Sequence, residues 1–101
     1  MERMFEEELK AFEKKLGGRI VYSTTNKYCL TLEYDFWLYK TFLKYKALRK
    51  DNWYCAIKAE EVLRKKKLLK RFHLYQWYII NRFFKIRKAI SESRRTYELS
   101  A

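Results

Sequence analysis

Proline is absent from this 101-residue chain, and its only two glycines stand side by side at Gly17 and Gly18. The usual devices for breaking a helix or turning tightly are thus missing outside one spot, which favours long uninterrupted elements over a loop-rich fold. One glycine pair cannot make a G-x-G-x-x-G or Walker-type phosphate loop. Histidine occurs once, at His73, too few for a histidine metal cluster. Two cysteines, Cys29 and Cys55, make neither a disulfide framework nor a metal knuckle. They read as small buried hydrophobes, with a single bond between them as the lesser alternative. No metal or other cofactor is expected. No apolar run approaches the roughly 18 residues of a membrane span, and the opening MERMFEEELKAF lacks the apolar stretch of a signal peptide.

The most informative absence is acidic. No Asp or Glu occurs between Glu61 and Glu92, while the chain as a whole carries a formal charge of +12. Counting by segment, residues 1–16 sum to −1, 17–34 to +1, 35–50 to +4 and 51–101 to +8. Between 64 and 95 there are twelve Lys or Arg against one acid, Glu92. A single-sign field this concentrated raises the local concentration of anionic partners, whether nucleic acid or acidic membrane.

What is present is ample apolar material: 49% hydrophobic and 19% aromatic residues. That excludes bulk disorder, and the length sets one domain over 1–101. The first helix is predicted within 1–17, its body at 2–16. There Phe5, Leu9, Phe12 and Leu16 share a face, and Gly17-Gly18 supplies the stop. Residues 19–34 predict a two-stranded antiparallel hairpin. Ile20, Val21 and Tyr22 are β-formers, Tyr28, Leu30, Leu32 and Tyr34 alternate with polar or small residues, and a turn falls near Thr25-Asn26. Asp35 is placed as the cap of a second helix over 36–49 with the stripe Leu38, Phe42, Tyr45 and Leu48. Asp51 or Asn52 caps a basic helix over 52–97, long or broken near the run at 64–67. The expected class is therefore α+β and helix-dominated.

On a helical wheel, Leu68, Leu69, Phe72, Ile79, Phe83, Ile86 and Ile90 form one stripe of the basic helix. Lys67, Arg71, Leu74, Tyr78, Asn81, Arg82, Lys85 and Lys88 are placed roughly opposite, with Trp77 at the margin. An ordinary solvated face mixes Glu with Lys for local pairing; here like charges repel unless a polyanion neutralises them. Lys and Arg neutralise phosphates with counterion release, and Tyr or Trp rings stack on bases. The candidate nucleic-acid-binding residues are Lys67, Lys70, Arg71, Tyr78, Arg82, Lys85 and Lys88, DNA and RNA not being distinguished. Alternatives are a solvated face, a helix that packs on a partner or its own copy in a homodimer through Leu69, Phe72, Gln76, Ile79, Phe83, Ile86 and Ile90, and a helix lying on an anionic membrane.

Catalytic constellations are thin. Glu33 and Asp35 near Lys40 suggest a metal-dependent carboxylate pair, but a solvated strand face with a helix cap explains them more simply, and no enzyme activity is expected. The order helix, hairpin, helix, helix superficially resembles small winged or ribbon-plus-helix DNA binders, with no matching motif residue. The composition is similar to that of small proteins of viruses and plasmids of thermophiles. An intracellular site of action is expected, in the host cytoplasm if the source is viral.

Overall fold

A computed structural model describes residues 2–22, 30–69 and 76–100, with side chains from 5 to 96 in those ranges. Among the described residues four helices follow one another: α1 (Glu2–Leu16), α2 (Leu32–Ala47), α3 (Asn52–Lys65) and α4 (Gln76–Ser100). Among those residues there is no strand, so the α+β expectation is corrected: the described residues are all-α and hold no two-stranded hairpin. Its intended turn, and Cys29, lie outside the described residues.

The correction has a local cause. Thr31 is extended at φ −122°, ψ 165°, and its side chain accepts a hydrogen bond from the Tyr34 amide. It thereby satisfies one of the free amides at a helix start. Glu33 and Asp35 add negative charge to that first turn, complementing the helix dipole. The helix consequently begins at residue 32, inside the presumed second strand, and Asp35 is an interior residue instead of the cap. Tyr34, Asp35 and Phe36 are all buried in succession, which no strand with one buried face allows. At the other end Leu48 is 59% exposed, outside the stripe assigned to it.

Helices α2 and α3 end without glycine or proline, in the same way. Arg49 and Lys67 take the left-handed conformation, at φ 61° and 58°. The Lys50 amide donates to the Tyr45 carbonyl and that of Arg49 to Lys46; likewise Leu68 donates to Leu63 and Lys67 to Arg64. These are paired Schellman closures. A non-glycine residue at such a position costs about 1 kcal/mol, low enough that no glycine or proline need mark where the basic segment divides. Asp51, not Asn52, caps α3, accepting from the Tyr54 amide at 2.7 Å.

The core lies where α2, α3 and α4 meet, with α1 laid across α2 and α4. Phe42 of α2 stacks on Phe83 of α4, centroids 4.2 Å apart. Cys55, Ala56 and Ala59 put small side chains on the inner face of α3, letting helices approach closely. Cys55 is a free, wholly buried thiol. Phe12 of α1 meets Phe36 edge-on, and Leu16 closes that end. Of the stripe assigned to the basic segment, Ile79, Phe83 and Ile86 are buried in this core and Leu68, Leu69 and Ile90 pack partly against it; Phe72 lies outside the described residues. A homodimer through that seam would need a face the monomer already uses.

Candidate nucleic-acid interface

Helix α4 has two faces. Ile79, Arg82, Phe83, Ile86 and Ala89 recur at three- and four-residue spacing and are buried; Trp77, Asn81, Phe84, Lys85, Arg87, Lys88 and Arg95 are exposed. Arg82 therefore stands on the inner face, not opposite Ile79. It follows Ile79 by three residues and precedes Ile86 by four, so its Cα belongs to the core row.

Asp35 of α2 draws it in. The Arg82 Nε donates to Asp35 Oδ1 at 2.8 Å and a terminal guanidinium nitrogen to Oδ2 at 2.6 Å. The Tyr22 hydroxyl also donates to Asp35 Oδ2. Asp35 is 0% and Arg82 8% exposed. Two charges leave water together and satisfy one another bidentately, the geometry in which arginine surpasses lysine. Burial opposes the Arg82 charge, but the hydrogen bonds and charge of Asp35 override it, so its pKa is raised. Tyr22 and Tyr34 are likewise pushed up, first by burial; the Asp35 charge adds for Tyr22, and Tyr78 and Asp35 add for Tyr34.

The other sequence-derived candidates divide three ways. Tyr78, Arg82 and Lys85, with Asn81, line one shallow depression of about 200 Å³. Lys85 and Lys88, with Arg19, Ile20, Ala89 and Glu92, line another of about 250 Å³. The two share Lys85 and run along one side of α4, so Tyr78, Lys85 and Lys88 share a continuous strip beside Arg82, which is buried and paired with Asp35. Lys67 is exposed but belongs to the α3 terminus. Lys70 and Arg71 lie outside the described residues, as does His73. Glu92, the acid at the end of the strip, is engaged by Arg19. Arg19 Nε lies 3.9 Å from its carboxylate, and a guanidinium nitrogen donates to the Glu92 carbonyl at 3.2 Å. Among the described residues no carboxylate lies within ion-pair reach of Lys85, Arg87, Lys88 or Arg95.

Sequence reasoning missed Phe84, which is 42% exposed one helical turn before Lys88. Its seven-residue spacing from Trp77 was the available signal. It also missed a second basic and aromatic cluster between α2 and α3. There Lys66 sits 3.8 Å and Lys40 5.4 Å from the Trp37 ring centre. Those cations cover their ring, so the cluster is largely self-satisfied. Glu33, Asp35 and Lys40 do not converge: Asp35 faces Arg82, and Lys40 lies 3.5 Å from Glu8. Among the described residues no three His, Cys, Asp or Glu side chains group as metal ligands, and no helix is long and apolar enough to cross a membrane.

No family model matches the chain, and no curated protein or solved structure shows significant similarity to it.

Proposed function

We propose that this protein binds nucleic acid without catalysing a reaction, through the strip of α4 that carries exposed Lys85 and Lys88 with half-buried Tyr78 at its edge. The observation that carries the reading is the segregation of charge on that helix. Its one inward cation has a buried carboxylate partner, while Lys85, Arg87, Lys88 and Arg95 face solvent without a carboxylate within ion-pair reach among the described residues. Phosphates supply the missing counter-charge, and binding gains from release of their condensed counterions. Membrane-surface binding and self-association through the apolar stripe both need Ile79, Phe83 and Ile86, which are enclosed in the core.

The test is the affinity for duplex and single-stranded nucleic acid across a salt series from about 50 to 400 mM. Four to six phosphate contacts give a log–log slope of about −4 to −5 on duplex. Replacing Lys85 and Lys88 together with Ala is expected to lower affinity and flatten the slope by up to about 2, with the thermal midpoint unchanged. Arg82 is kept intact, because its loss would damage the fold. Unchanged affinity in the folded double variant would overturn the assignment.

A further inference from the structure

Resting on that reading, we infer that the strand recognised is single, and that its bases stack on Trp77 and Phe84. Among the described residues aromatic rings differ in whether a lysine ammonium covers them. Trp37, Phe36, Tyr45 and Tyr54 each have a lysine ammonium over the ring, at 3.8–5.6 Å from its centre, and such a ring is already engaged. Trp77 is 66%, Trp53 53% and Phe84 42% exposed, and among the described residues no cation lies over any of the three. Trp53 stands on the first turn of α3, whereas Trp77 and Phe84 share α4 with Lys85 and Lys88. Phe84 rests edge-on against buried Phe83, centroids 5.7 Å apart, which holds it on a rigid support.

The two rings are seven residues apart and so lie on the same outer face of α4, about 10 Å from one another along its axis. Asn81 lies between them, and its side-chain amide donates to the Trp77 carbonyl at 2.8 Å. Lys85 and Lys88 follow Phe84 by one and four residues. Two rings and then two cations thus follow one another along one helix.

Bases in a duplex have both faces covered by their neighbours and present only edges and phosphates. A ring standing out from a helix stacks there only by prising neighbouring base pairs apart, which costs stacking free energy at each opened step. An unpaired base offers its face, and stacking of this kind is tolerant of sequence. The charge strip serves either form of nucleic acid, but the uncovered rings stack without an unstacking cost on the single strand alone. The predicted mode is therefore sequence-tolerant, with bases on Trp77 and Phe84 and phosphates on Lys85 and Lys88.

The deciding experiment measures fluorescence anisotropy of a labelled oligothymidylate and of a labelled mixed-sequence duplex of equal length, at low salt. The wild-type protein is compared with Trp77→Ala and Phe84→Ala, each checked by circular dichroism. The single strand is expected to bind at least about tenfold more tightly than the duplex. Each substitution should weaken single-strand binding about 5- to 100-fold and leave duplex binding nearly unchanged. Duplex binding as tight as single-strand binding, or ring-deleted variants with wild-type affinity, would overturn this inference while the nucleic-acid assignment stands. No binding of either probe would overturn both.

Discussion

Arg82 and Lys85 are three residues apart on one helix and lead opposite lives. The first is enclosed, bidentate to Asp35 and assisted by Tyr22; the second is exposed, without a carboxylate in reach among the described residues. A cation inside the fold is tolerable only when a partner replaces its hydration in full. A cation outside needs no internal partner, so its charge remains available to a ligand. Net charge alone does not separate the two, and only Lys85 belongs to the proposed binding surface.

The strongest way to break this contrast is to strip the inner cation of its partner. Asp35→Asn leaves Arg82 buried and uncompensated, with an expected cost of about 3–5 kcal/mol. That is a large part of the 5–15 kcal/mol typical of a small domain. Denaturant unfolding checks it. Replacing Asp35, Arg82 and Tyr22 together with apolar residues of similar volume should recover most of the loss. If Asp35→Asn were as stable as wild type, the pair would not be organising the interior.

Raising the pH sharpens the same contrast. The inner side accepts charge only as a pair, and burial raises the pKa of Tyr22, Tyr34 and Tyr39 in the folded state. An acid raised on folding contributes stability that is fully present below its unfolded value, about 10 for tyrosine, and is lost as pH climbs above it toward the folded value. Thermal midpoints are thus expected to be flat through neutral pH and to fall above about pH 10. Tyrosinate absorbance from these three should appear together with loss of helical signal.

A smaller effect concerns the seam where α1 meets the C-terminal half of α4. Gly17 and Gly18 both have positive φ, +59° and +73°, but a Cβ on Gly17 would overlap the Ser93 side chain whereas one on Gly18 meets nothing. Gly18→Ala should cost about 1 kcal/mol for the backbone alone, and Gly17→Ala about 1–2 kcal/mol more. Equal costs would mean that the seam yields freely. At the bottom of the scale, Lys85→Ala with Lys88→Ala should change stability by no more than about 0.5 kcal/mol while affecting nucleic-acid affinity.

Much of this was legible in the residues themselves. The spacing of Phe5, Leu9, Phe12 and Leu16 and the glycine stop define α1; Ile79, Phe83 and Ile86 declare the inner row of α4; the acid-free run announces a basic surface. Those features depend on neighbours within a turn or two, which a linear pattern records. The region from 28 to 35 misled because alternation over eight residues also fits the approach to a helix, and Thr31 resolves it through one hydroxyl. The break expected near 64–67 falls there, at the end of α3, and no glycine or proline marks it because Lys67 adopts a conformation usually left to glycine. The place of Arg82 in the core row, three residues after Ile79 and four before Ile86, stood in the sequence, but that its charge could stay there was decided by tertiary structure. Its partner lies 47 residues away, and no local pattern tells a cation that meets a carboxylate across the core from one that meets water. The same holds for the aromatic rings: their types and spacings stand in the sequence, but only packing determines that Trp37 is covered by lysines while Trp77 and Phe84 remain open.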